Sequence, residues 1–142
     1  MVVEDDALIR AWEHAAAPAK GLDVQIHLHS SVSVDRVYAT RGISVIGVES
    51  AEDPRALDAF EKRELERHDK YLRVGVARTN VYGLASDYLR EAGVDVWKTP
   101  DAVPAMVDAL ESPTIIAGRI KRGLDRFGDR VAYVGPDCGL SA

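Results

Sequence analysis

Side chains able to bind a metal or act as nucleophiles stand at places in this chain where strands end. The only cysteine, Cys138, lies in Val134-Gly135-Pro136-Asp137-Cys138-Gly139-Leu140, after the apolar run at 131–134. Gly135-Pro136 reads as a strand stop that opens a loop. His27 and His29 belong to Ile26-His27-Leu28-His29-Ser30-Ser31, and Glu49 directly follows the apolar run at 43–48. In parallel α/β architectures, ligands bind at the C-terminal ends of the strands. Imidazole, carboxylate and thiolate from three such ends are a donor set suited to Zn2+, with a further position for water or substrate. His27 points to the same side as His29, so it is either the ligand itself or a group that orients a carboxylate. Each residue also has an ordinary structural reading: His29 as a hydrogen-bonded loop histidine, Glu49 as a turn cap, Cys138 as a small buried hydrophobe. Convergence separates the two readings, and strand topology makes convergence possible.

The elements that must position these residues alternate along the chain. A leading helix is expected within 1–20, capped near Asp6, with Leu8, Ile9 and Trp12 as its apolar stripe and Pro18 and Gly21 closing it. A strand follows over 22–29, with Ile26 and Leu28 on one side and Gln25, His27 and His29 on the other. A short helix carries Val34, Val37 and Tyr38, and a second strand covers 43–48. Asp53 and Pro54 form an N-cap and first-turn pair for a helix that places Ala56, Leu57, Phe60 and Leu65 in a core. A third strand at 72–76 leads to a helix over 80–90, packed through Leu84, Tyr88 and Leu89. The stretch 94–97 is a short strand or an extended connection. Pro100 begins a helix with Val103, Met106, Val107 and Leu110 inward, and Ser112-Pro113 begins another with Ile116, Ile120, Leu124 and Phe127 at helical spacing. The run at 131–134 is the last strand. This alternation implies a parallel sheet with crossover helices.

Composition narrows the function classes. At 142 residues one domain is expected, and 46% hydrophobic residues suffice for a core. The net charge of -5 argues against nonspecific binding to nucleic acid or to anionic membranes. A single cysteine excludes an internal disulfide framework. No apolar run approaches the roughly 18 residues of a membrane span. The start Met1-Val2-Val3-Glu4-Asp5-Asp6 lacks the basic and apolar segments of a signal peptide, so a cytoplasmic location is the expectation, with no nucleic acid and no membrane as partner.

Three segments resemble the cobalamin-independent methionine synthase family. Ile26-His27-Leu28-His29-Ser30-Ser31 is similar to that family's Ile-His-Thr-His-Met-Cys stretch, Ile46-Gly47-Val48-Glu49-Ser50 to its strand bearing a glutamate ligand, and Gly135-Pro136-Asp137-Cys138-Gly139-Leu140 to its Asn-Pro-Asp-Cys-Gly-Leu motif. Glu111-Ser112-Pro113 also resembles the Glu-Ser-Pro segment before its last strand. The resemblance implies a catalytic TIM barrel that transfers a methyl group from methyltetrahydrofolate to the homocysteine thiol, with Zn2+ held by His29, Glu49 and Cys138. His27, Ser31 and Asp137 then stand beside the metal as supporting groups or weak ligands.

This chain departs from the family pattern in stated places. The family's fourth ligand, a cysteine, falls on Ser31, a poorer zinc ligand. The family's acid histidine has no counterpart, since His68 comes too early. The resemblance covers the second half of the catalytic barrel, so the expected fold is a set of parallel β/α units resembling an incomplete half-barrel over 1–142, with the zinc motifs within 22–140. Activity is then expected to need a separate N-terminal barrel half or self-association. Other readings are a zinc thiol-alkyltransferase with another substrate such as coenzyme M, a noncatalytic zinc-binding remnant, and a flavodoxin-like module. The last would want a glycine-rich anion loop after the first strand, which His29-Ser30-Ser31 does not supply.

Overall fold

The computed structural model describes residues 5–138. Four strands, β1 (Gln25–Leu28), β2 (Val45–Val48), β3 (Tyr71–Ala77) and β4 (Val131–Pro136), form one sheet in the order β1-β2-β3-β4. Every neighbouring pair is parallel. The order never reverses, so crossovers of constant hand bring their helices to one face. A doubly wound sheet reverses its strand order at a switch point; this sheet has none, which removes the basis for the flavodoxin-like alternative. β1 and β4 are the two edges among the described residues, and the sheet is open.

The register divides the side chains into an apolar and a polar face. Ile26, Ile46, Leu72 and Val131 share a row, as do Leu28, Val48, Val74 and Val134. The first row and most of the second meet α1 (Asp5–Ala16), α2 (Val34–Ala39), α3 (Lys62–Arg67) and α6 (Pro113–Phe127) in a core with Trp12, Val37, Leu65, Ile116, Ile120 and Phe127. The opposite face carries His27, Gly47, Arg73 and Tyr133 in one row. A flat sheet would hold its outer strands about 14 Å apart. Tyr133 Oη nevertheless donates to Asp23 Oδ2 at 2.6 Å, just ahead of β1. The sheet is therefore curled, with the polar face inside.

Several expected elements differ in detail. The helix expected after Pro54 is broken: Asp53 caps it by accepting from the Arg55 amide, but the turn is 3-10 over Pro54–Ala59, and Phe60 then extends into the core before α3 begins. The stretch 94–97 is a connection, with Val96 buried against α4 (Val81–Ala92) and α5 (Val103–Leu110). Val103 and Val107 are exposed because the inward stripe of that region is Ala102, Met106 and Leu110. Leu89 is exposed while Leu84, Ala85 and Tyr88 face the same small core. Leu124 is exposed because α6 approaches β3 through Gly123, where a Cβ would meet Val74 at 3.3 Å. β4 runs through Gly135-Pro136 instead of stopping at Val134; as an edge strand it tolerates a residue without an N–H. The Pro-Asp-Cys-Gly-Leu motif is described to Cys138; Gly139 and Leu140, like residues 1–4 of the leading helix, lie outside the described residues.

Two buried ionic devices tie the layers. Lys70 is 3% exposed and donates from Nζ to the carbonyls of Thr40 and Ile43, with burial holding its pKa below the ordinary lysine value. Lys70→Met should cost about 2 kcal/mol in urea unfolding, since it strands two buried acceptors. An unchanged midpoint would show that the carbonyls find other partners. Glu111 accepts from both terminal nitrogens of Arg119 and from the Arg78 amide, which fixes the chain just past β3.

Candidate metal centre

The side chains of the inner face converge where the strands end. Residues 25, 27 and 29 alternate with the apolar positions of β1, so both histidines project to the inner side. Glu49 is the first residue past β2, two beyond Gly47, and projects the same way. Cys138 follows β4 by two residues, and its amide donates to Thr79 Oγ1 at 3.3 Å.

One carboxylate oxygen gathers the cluster. Glu49 Oε1 lies 3.1 Å from His27 Nε2, 3.0 Å from His29 Nδ1 and 2.5 Å from Cys138 Sγ, which donates to it. Cys138 Sγ is also 3.3 Å from His27 Nε2. One donor atom from each of His27, His29, Glu49 and Cys138 lies within 4.8 Å of all the others, a group able to coordinate a metal ion. Metal–donor lengths of about 2.0–2.3 Å in a tetrahedron put neighbouring donors about 3.4 Å apart. Three of the separations, at 3.0, 3.1 and 3.3 Å, are close to that value, and the shortest joins the two groups that share the thiol proton. Two nitrogens, an oxygen and a sulfur suit a borderline divalent ion.

The protonation states follow from the same contacts. Burial favours a neutral Glu49, but the hydrogen bonds from Cys138, His27 and His29 outweigh it and hold the carboxyl below its usual range. The Cys138 thiol is pushed up to about 11, first by its hydrogen bond to Glu49 and then by burial and the nearby negative charge. The metal-free cluster therefore carries a protonated thiol at neutral pH.

The structure divides the sequence candidates. His29, Glu49 and Cys138 come together, and His27 lies in the same group of potential donors. Ser31 opens the 3-10 turn Ser31–Ser33 and is exposed, lining an open cleft of about 640 Å3 beside His29 and Glu49. Asp137 stands outside the four-donor group: its oxygens accept from the Ala51 amide at 2.9 Å and the Glu52 amide at 2.7 Å. It is 3% exposed and bolts the loop after β2 to the end of β4, which sets the spacing of Glu49 and Cys138. Sequence reasoning missed Gly75 beneath that carboxylate, and Arg73 and Tyr133 on the inner face. The signal lay in Leu72-Arg73-Val74-Gly75-Val76, where an arginine and a glycine alternate with apolar residues.

His27, and not Ser31, stands with His29, Glu49 and Cys138 in the group able to hold a metal. His27→Ala should weaken zinc binding by more than about tenfold, whereas Ser31→Ala should leave it within twofold, as read by competition with a chromophoric chelator. Equal losses in both variants would return Ser31 to the ligand set.

No family model, no curated protein and no solved structure matches this chain. The functional reading therefore rests on the cluster and its surroundings. Among the described residues, no helix is long and apolar enough to cross a membrane.

Proposed function

We propose that the cluster holds Zn2+ and that the chain serves methyl transfer from methyltetrahydrofolate to the homocysteine thiol, as the resemblance to cobalamin-independent methionine synthases implies. The observation that carries this reading is the convergence of His27, His29, Glu49 and Cys138 at the C-terminal end of a parallel sheet. Zinc bound by these residues supplies positive charge that favours the thiolate form of a thiol substrate. The chain's own groups define the approach. The His29 side chain is 71% exposed and borders the cleft lined by Ser30, Ser31 and Glu49, so a small thiol reaches the cluster from that side. His27, 27% exposed, does not line that cleft. A complementary barrel portion, in a second copy or another polypeptide, would meet the parallel edges of β1 and β4 and build the methyl-donor pocket over the inner face.

A noncatalytic metal-binding role is the second reading, and the four protein donors favour it, since structural zinc sites are closed by four protein ligands. Radiolabelled methyl transfer to homocysteine, assayed for the zinc-loaded chain alone and with any protein that co-purifies, separates the two. The methyltransferase reading expects zinc-dependent product in at least one preparation. Stoichiometric zinc with no transfer in either leaves the noncatalytic site.

A further inference from the structure

Arg73 is a cation on the inner face with no acidic partner among the described residues. Its row runs His27–Gly47–Arg73–Tyr133, one row behind Glu49 and Gly75. The side chain runs forward across Gly135, where a Cβ would meet Nη2 at 2.7 Å and Cζ at 3.1 Å. Nη2 then donates to the Pro136 carbonyl at 2.6 Å, two residues before Cys138.

Among the described residues, the guanidinium makes no further hydrogen bond. It has five donor hydrogens, and among the described residues no carboxylate lies within ion-pair distance. The other arginine near the strand ends, Arg78, is taken up by Glu52 at 2.6 Å and Asp87 at 2.9 Å. Between Arg73 and His27 stands Gly47, which contributes no side chain to the floor. A cavity of about 240 Å3 lined by Asp23, Gln25, Val45, Arg73, Tyr133 and Val134 opens beside it, with the Asp23 carboxylate taken up by the Tyr133 hydroxyl. A partly exposed fork of donors, one strand row from the four-donor cluster and with no carboxylate in ion-pair range among the described residues, is suited to a carboxylate or sulfonate.

We propose that Arg73 determines specificity by holding the acidic group of a short thiol whose sulfur sits at the His27–His29–Glu49–Cys138 cluster. The substrate class is an anionic thiol, with carboxylate and sulfonate as the two chemistries that fit. This rests on the metal-centre reading above.

The test uses cobalt-loaded protein, in which visible absorption reports on the ligands around the ion. The probes are 3-mercaptopropionate, 2-mercaptoethanesulfonate and uncharged 2-mercaptoethanol. Wild-type protein should bind at least one acidic thiol about tenfold or more tightly than mercaptoethanol. The acid preferred between the two names the chemistry. Arg73→Met should lose that preference while its affinity for mercaptoethanol stays within about twofold, and Arg73→Lys should keep part of it, as a point charge without the planar fork. Circular dichroism and cobalt content of each variant confirm an intact site, and the wild-type comparison stands even if a variant fails to fold. Equal affinity for charged and uncharged thiols in the wild type, or a preference that survives in Arg73→Met, overturns the role of Arg73 alone. Failure of the wild type to take up cobalt overturns the metal centre and this proposal with it.

Discussion

Cys138→Ala is expected to lower zinc affinity by more than a hundredfold and to change how that affinity depends on pH. The sulfur is one of four donors and the only soft one, and losses from removing a ligand exceed the roughly 10–100-fold cost of removing a group behind a ligand. The thiol is held up to about 11 in the metal-free cluster, so it is protonated throughout the neutral range. A metal that binds the thiolate must therefore displace that proton. The sign is fixed: the protonated form competes with the ion, so affinity rises with pH, by about tenfold per unit for the one proton released at sulfur. Competition titrations from pH 6.5 to 8.5 should show that contribution in the wild type and its loss in Cys138→Ala. Cys138 is only half-buried, so thermal unfolding of the metal-free variant should stay close to that of the wild type. Unchanged affinity and slope in the variant would remove the thiol from the site.

The largest loss of fold stability is expected from Gly75→Ala. Gly75 sits mid-strand in β3, beside Val48 on β2 and Gly135 on β4. A Cβ there would overlap the Asp137 carboxylate and come within 2.7 Å of the Val48 carbonyl oxygen. The first contact can be relieved only by withdrawing Asp137 from the Ala51 and Glu52 amides. The second is backbone against backbone in the middle of a paired strand, with no side chain to move. Overpacking of this kind plus two broken hydrogen bonds, one of them buried, should cost about 3 kcal/mol or more in urea unfolding. Because Asp137 sets the distance between Glu49 and Cys138, the same substitution should weaken zinc binding even in the protein that remains folded. Asp137→Asn separates the effects: it leaves the space above Gly75 unchanged while replacing one acceptor oxygen by a donor, so it should weaken the bolt without the backbone clash. Gly75→Ala with wild-type stability would contradict the close approach.

The strands were legible because β2 and β3 are buried and read as near-continuous apolar runs, as parallel strands do. The parity of Gln25, His27 and His29 against Ile26 and Leu28 was legible for the same reason, and it put both histidines on the inner side. What parity could not separate was which histidine binds, since alternate residues of a strand share a face. The positions of His29, Glu49 and Cys138 at strand ends were legible in the alternation of elements. The part played by Asp137 was not, because its partners are backbone amides some 86 positions away and leave no trace in residue type. Helix stripes failed for a related reason. The spacing of Leu124 is as good as that of its neighbours, but a glycine at 123 lets the helix sit against Val74 and rotates Leu124 outward.

The central claim is that His27, His29, Glu49 and Cys138 bind one metal ion together. X-ray absorption at the zinc edge of stoichiometrically loaded wild-type protein tests it most directly. One sulfur near 2.3 Å and nitrogen or oxygen neighbours at about 2.0–2.1 Å are expected, with imidazole scattering from two rings. A spectrum with no sulfur neighbour, or a protein that retains no zinc after dialysis against buffer, would contradict it.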